Sequence, residues 1–478
     1  MSQQKYRRWE VHASALPESP LVGEVFFPLE SSANDADARR PRDSGNALDD
    51  SSSGSAGSKR NRRRGSRASW VENGLERNDD ALRSSGKPFN ASLHSSAGFN
   101  SLAASSHLLP RFRYSPEWIE GGFALGADLP LTPGLQRPLR GRRSFGFLTD
   151  RRLSEASIER FRAARREGSE SLAALPALDT AGEEEAAAVL LPNAAAHAGG
   201  IEFSSPDAVC GTTLRLPYES TGLGSVLDAL AGAGRRRTNL KGLLALASAT
   251  VLPGGRTSLA LVTESGESAL TVRSSADLID FPLWRRLLLE LAHDCGIDCA
   301  ESRLTEASGV RALFTQRVDR TEDAARRQRL TLSGATLSPE RSLSYLGIAE
   351  ILNREGAAPA QDLPQVWRRM VFALLTGAED RGQKWLFHRT QTGWRLAKAH
   401  GFSPCAGAPR PMTADGRRHL ATLDDAVRLA PYFGMRLSDA KTAAAGMRRA
   451  IRDWEERAIE LGADVSEVEL LAPGFEAF

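Results

Sequence analysis

The sequence predicts an α+β protein in which a β-containing amino-terminal part precedes an α-helical carboxy-terminal lobe. Three stretches carry that prediction. Thr250 to Arg273, TVLPGGRTSLALVTESGESALTVR, reads as strand, Gly-rich turn, strand, Gly turn and strand. Phe281 to Cys295, FPLWRRLLLELAHDC, is a strongly apolar helix stopped by Gly296. From Ser338 onward the signal is almost wholly helical, in SYLGIAEIL, DLPQVWRRMVFALLTG, ATLDDAVRLAPYF and a long closing LSDAKTAAAGMRRAIRDWEERAIELG.

The elements follow in order. Leu21 to Phe27, LVGEVFF, suits a short strand ended by Pro28, with no immediate partner beside it. From Glu30 to about His107 the composition shifts to Ser, Gly, Asn, Asp and Arg, with the low-complexity core SSSGSAGSKRNRRRGSR. Too little apolar surface lies there to offset the ordering entropy, so a disordered insertion is expected. Phe112 to Gly134 carries aromatic residues in strand-like alternation, and a β-rich unit pairing with Leu21 to Phe27 across the insertion is expected, with Phe145 to Leu148 continuing it. Ser154 to Arg166 reads as an amphipathic helix capped by Ser154, with Glu155 favourable in its first turn. Thr180 to Gly200 is an Ala-rich helix or loop, and Leu223 to Leu230 and Leu240 to Ala249 look helical. Arg311 to Val318 is a further strand. The expected division is an amino-terminal unit from 1–30 with 108–235, the insertion 31–107, a small lobe 236–330 and the helical lobe 331–478.

Composition bounds the function. The 478 residues carry a formal charge of only +3, so any nucleic-acid case rests on local clusters. The four cysteines, Cys210, Cys295, Cys299 and Cys405, are few for the length, which suits a reduced, cytoplasmic protein. No window of about 18 apolar residues occurs, so neither membrane insertion nor secretion by the general signal route is expected.

A hairpin turned by glycines, a strand ending in a cation, a helix, and then a helical lobe with an Asp-bearing loop is the layout of kinase-like folds. The residues go further. The sequence resembles the HipA family of bacterial serine/threonine kinase toxins in FRYSPEWI, LPLTPG, PGGRTSLALV, GIDCAESRL, QRVDR, SYLGIAEIL and WEERAIELG. WRRMVFALL followed by GWRLAKA is the most specific part. The resemblance implies the HipA-like kinase fold, ATP as nucleotide, a small DNA-binding antitoxin as partner, and the toxin role in a toxin–antitoxin pair.

The same resemblance locates the chemistry and shows it substituted. The family's phosphate-contacting turn falls at Gly254 and Gly255, but its following lysine position is Leu259; an ordinary hairpin turn is the alternative. The nucleotide-pairing strand lysine falls at Arg273, and the helix acid that would face it aligns with Arg285, so two cations are expected to face one another. Asp380 matches the Asp that accepts the substrate hydroxyl's proton, although a lone Asp in GAEDRG also suits a helix-end or surface carboxylate. The two magnesium-ligand positions are occupied by Trp385 and Gly401, and neither offers the oxygen that magnesium needs. The resemblance thus implies a kinase by descent whose phosphoryl transfer is impaired, the alternative being a pseudokinase that regulates by binding protein or nucleic acid.

Other clusters weigh less. Cys295, Cys299 and His293 lack a fourth zinc ligand. His388 and His400 flank the Asp loop but have no positioned partner in the sequence. Lys59, Arg60, Arg62, Arg63 and Arg64 form a basic cluster that is either a nucleic-acid contact or a solvated linker.

Overall fold

The computed structural model describes residues 6–28, 109–151, 199–204, 218–219, 259–263, 266–273, 277–307, 309–321, 329–338, 343–405, 412–417, 419–420 and 422–476. The chain divides into two compact units, 1–30 with 107–478 and 31–106, and every described residue belongs to the first. The helices expected over Ser154 to Arg166, Leu223 to Leu230 and Leu240 to Ala249 lie outside the described residues, as do Gly254, Gly255 and the basic cluster from Lys59.

A four-stranded antiparallel sheet comes first. Its strands are β1 (Tyr6–His12), β2 (Leu21–Pro28), β3 (Arg111–Tyr114) and β4 (Glu202–Ser204), in the order β3-β2-β1-β4. The expected pairing of β2 with the Phe112 stretch is present, with Val25 opposite Phe112. The strand thought to lack an immediate partner has one in β1, whose inward side is only Trp9 and Val11 in a charged context. A Cβ on Gly23 would stand 2.3 Å from the Arg113 carbonyl oxygen, so glycine lets β2 and β3 close together there.

Strand character ends at Tyr114. Ser115 Oγ accepts from Trp118 N at 3.1 Å and, with Pro116 in the first turn, starts a short helix over Pro116–Gly121. Phe145 to Leu148 does not continue the sheet either. Gly146–Thr149 is a helical turn whose first amide donates to Asp128 Oδ2 at 2.8 Å, and Thr149 Oγ1 donates back to the Phe145 carbonyl.

A second, five-stranded sheet is formed by β5 (Tyr218–Glu219), β6 (Leu259–Thr263), β7 (Gly266–Val272), β8 (Ser302–Ala307) and β9 (Val310–Gln316), in the order β5-β6-β7-β9-β8. Between β7 and β8 runs α1 (Phe281–Asp294). Asp280 Oδ1 accepts from Leu283 N at 3.2 Å, Pro282 lies in the first turn, and Gly296 follows the helix end at φ +71°. The side chains of Trp284, Leu287 and Leu291 are fully buried.

The helical lobe is built on α2 (Tyr345–Glu355) and α3 (Pro359–Thr376). A small antiparallel sheet lies beside them, with β10 (Thr331–Ser333), β11 (Leu386–Arg389) and β12 (Trp394–Leu396) in that order. Asp362 ties β12 to α3: its carboxylate receives Arg395 Nε at 2.8 Å and the Leu396 amide at 3.1 Å. Then follow α4 (Leu423–Leu429), α5 (Leu437–Ala450), α6 (Trp454–Glu460) and α7 (Val465–Glu476). The closing helix expected from LSDAK to IELG is therefore two helices, broken at 451–453. The break sets Trp454 6.2 Å from Trp284 and stacks it on Phe475 at 4.0 Å and 6°.

Candidate functional site

The site begins where α3 stops. Gly377 takes φ +60°, and a Cβ there would lie 2.6 Å from Gly474 Cα in α7, so the left-handed turn and the close approach both call for glycine. The turn sends Ala378, Glu379 and Asp380 out of the helix. Glu379 N donates to the Ser403 carbonyl at 2.9 Å, which pins this loop against the strand-like segment after Gly401.

Asp380 is partly buried, and both its oxygens are engaged. Its Oδ2 accepts from Tyr345 Oη at 2.8 Å and its Oδ1 from Trp385 Nε1 at 2.7 Å. Tyr345 is fully buried at the start of α2, and Trp385 is 3% exposed. Trp385 in turn lies under Arg369 of α3, whose guanidinium stands 5.3 Å from the ring and donates to the Ala397 carbonyl at 2.6 Å. Burial pushes the Asp380 carboxyl above its ordinary value, while the hydrogen bonds from Tyr345 and Trp385 and the charges of Lys384 and Arg369 oppose the rise. The same burial, with the charge of Asp380, puts the Tyr345 hydroxyl far above its usual range, so it stays a donor.

Beside this carboxylate stands Lys384, at the end of a 3₁₀ turn over Gly382–Lys384. Its ammonium donates to Ser403 Oγ at 2.7 Å and to the Glu379 carbonyl at 3.3 Å, with Glu379 Oε2 at 3.6 Å. Its side chain is 8% exposed, and burial lowers its pKa to about 8 against the pull of Glu379 and Asp380. Gly401 lies beside the Arg285 guanidinium and the methylene stem of Lys384. A Cβ built on it would be 3.8 Å from both Arg285 Nη2 and Lys384 Cδ.

The two arginines of the nucleotide side are held apart by different partners. Arg285 is 6% exposed and donates to the His400 carbonyl. Arg273 is more open and sits 3.5 Å from Asp280 Oδ2 and 3.6 Å from Glu467 Oε1. Glu467 is itself fixed by the Asp280 amide and by Trp284 Nε1 at 2.6 Å. The acids beside the strand cation are thus Asp280, at the start of α1, and Glu467 of α7, while Arg285 of α1, expected to face Arg273, turns to the His400 carbonyl. QRVDR forms a buried knot: Asp319 takes Arg317 through both oxygens, at 2.9 and 2.6 Å, and Arg320 at 2.9 Å. Burial alone would raise the Asp319 carboxyl, but the two guanidinium charges hold it well below the carboxylate range.

Both loop histidines are neutral. Burial and the charges of Arg285 and Arg369 push His400 down to about 3, and burial with Arg329 pushes His388 down to about 4. Neither lies in a hydrogen bond to Asp380, whose two oxygens hold Tyr345 and Trp385. Cys295 is buried with its thiol directed at the Met447 carbonyl, 3.8 Å away, whereas His293 is largely solvent-exposed, so the pair does not converge.

The donor set does not fit magnesium. The ion needs oxygen ligands at about 2.1 Å. At the two positions to which the resemblance assigns the ligands stand an indole N–H that faces the carboxylate and a glycine beside the Arg285 guanidinium and the Lys384 stem. Among the described residues no group of three or more His, Cys, Asp or Glu gathers to hold a metal. Tyr345, Arg369, Lys384 and Ser403 were not singled out from sequence. Tyr345 lies in the SYLGIAEIL stretch and Lys384 in the Asp loop itself, so the signal was present, but only folding shows that they face Asp380 and Gly401.

A family model described as the HipA-like C-terminal domain matches residues 284–465. Among solved structures, a chain of the Shewanella oneidensis MR-1 toxin–antitoxin complex of HipA, HipB and operator DNA is similar at 13% identity and a TM-score of 0.50, over 78% of this chain and 91% of that one. The proinflammatory kinase CtkA of Helicobacter pylori is similar at 11% identity and a TM-score of 0.30, over 44% of this chain and 94% of that one. No curated protein matches in sequence.

Proposed function

We propose, from the premise that this chain belongs to the HipA family through its HipA-like C-terminal domain, that it is a HipA-like toxin of a toxin–antitoxin pair that acts by binding and has lost efficient phosphoryl transfer. The observation that carries the reading is the hydrogen bond from Trp385 Nε1 to Asp380 Oδ1. A catalytic carboxylate must meet the substrate hydroxyl beside a metal-bound phosphate. Here the residue at the metal-ligand position faces that carboxylate as a donor, and Lys384 and Arg285 flank the other ligand position. ATP, the nucleotide implied by the family, would meet the Lys384 ammonium in place of a metal. The Shewanella chain comes from a complex with HipB and operator DNA, which supports a small DNA-binding antitoxin as partner. The kinase reading rests on Asp380 alone.

The test pairs two measurements on the full chain. Melting temperature is followed with ATP, with and without magnesium, and transfer of the γ-phosphate to the chain itself or to a co-expressed antitoxin is followed by label. The expected result is an ATP shift that does not need magnesium, and transfer no greater in the wild type than in Asp380→Asn. Magnesium-dependent transfer abolished by Asp380→Asn would overturn the proposal in favour of an active serine/threonine kinase.

A further inference from the structure

Away from the Asp380 loop, at the other end of β11, a cavity of about 470 Å³ opens between the β1–β2 turn, the end of the Pro116–Gly121 helix and the β11–β12 turn. Its lining includes the apolar Leu16, Pro17 and Phe123 together with Arg329, His388 and Arg389. The two guanidinium groups are built in. Arg389 lies over an edge-to-face ring pair, 4.4 Å from the Phe123 centroid and 5.5 Å from that of Trp394. Arg329 Nε donates to the Arg320 carbonyl at 3.0 Å and its Nη1 lies 3.2 Å from His388 Nε2.

Neither arginine has a carboxylate within ion-pair distance among the described residues, unlike Arg317, Arg320, Arg311 and Arg395. Only the charge of Glu355, outside ion-pair distance, acts on Arg389 among the described residues, and two partly buried cations so placed carry a desolvation cost that an anion would offset. Arginine can only donate, so His388 Nε2 accepts and the neutral ring carries its proton on Nδ1, for which no described residue supplies an acceptor.

We propose that this cavity binds an organic phosphate, a phosphate monoester on a small apolar body, with Arg329 and Arg389 on the phosphate and Leu16, Pro17 and Phe123 around the body. A monoester is close to a dianion at neutral pH, which matches two guanidinium forks better than a carboxylate does. The volume exceeds what a bare phosphate fills. The site stands independently of whether the Asp380 loop transfers phosphate.

The test is calorimetric titration of the full chain with phenyl phosphate, against inorganic phosphate and benzoate. Phenyl phosphate is expected to bind one to one, at least tenfold tighter than either comparator. Arg389→Gln and Arg329→Gln should each weaken it at least tenfold. Because Arg389 also packs on two rings, Leu16→Glu serves as a second variant: it leaves both arginines and puts a carboxylate into the cavity lining, and it should abolish binding. Saturating ATP and Lys384→Met should leave binding in place. No binding at millimolar phenyl phosphate, equal binding of benzoate, indifference to all three cavity variants, or displacement by ATP would each overturn the assignment.

Discussion

The indole Nε1 of Trp385 donates to Asp380 Oδ1 at 2.7 Å, while Tyr345 Oη closes the other oxygen at 2.8 Å. Both carboxylate oxygens of Asp380 are thus taken by aromatic side chains of the fold. Hydrogen bonds to a charged group contribute about 1.5–3 kcal/mol each. Trp385→Phe and Tyr345→Phe should each destabilise by roughly 2 kcal/mol in urea unfolding on that scale. In an Asp380→Leu background both costs should shrink, and a double-mutant cycle with additive effects would contradict the pairing.

Asp150 supplies a pH dependence. Its carboxylate accepts Ser333 N at 2.8 Å and Ser333 Oγ at 2.6 Å, and burial, opposed by these bonds, raises its pKa to about 6 from 3.8. The folded state then binds the proton more tightly than the unfolded chain, so Asp150's contribution falls as pH rises from about 4 to about 6 and is flat above. The size is about 3 kcal/mol by linkage. Comparison of wild type with Asp150→Asn, as unfolding free energy against pH, should isolate that slope; parallel curves would refute it.

His400 acts in the opposite sense. With its folded pKa at about 3 against 6.5, its contribution is complete above pH 6.5 and is lost as pH falls toward 3. His400→Gln should therefore gain stability relative to the wild type as pH drops from 6.5 to 4.5. A constant difference between the two across that window would count against a buried neutral imidazole.

Gly377 should tolerate no side chain. Its φ of +60° and the 2.6 Å approach of Gly474 to a Cβ act together, so Gly377→Ala should cost more than the roughly 1 kcal/mol of a left-handed alanine alone. Gly474→Ala gives the control. Its Cβ would meet the Thr376 carbonyl at 3.2 Å with no positive φ to strain, so it should be the milder change, by denaturation midpoint.

Much of this protein was readable in its sequence. Local periodicity and caps placed α1, β2, β9 and the helical lobe, because burial of one face leaves a repeat of 2 or 3.6 residues in the chain. The substituted positions Trp385 and Gly401 were equally plain, since they are identities within a motif. What local pattern could not carry was anything set by distant partners. Strand β1 hides Trp9 and Val11 among charges and acquires its meaning from β2. The Phe145 stretch looks like a strand until Asp128 caps it as a turn, and the closing helix breaks because Trp454 has Trp284 and Phe475 to reach. The site divides along the same line. The sequence by itself determined the identities within the Asp380 loop, Trp385 and Gly401 included. Only the tertiary structure decided that Trp385 and Tyr345 hold that carboxylate, that Lys384 and Arg285 converge on Gly401, and that Arg273 pairs with Glu467 from α7, since each joins residues that only the folded chain brings together.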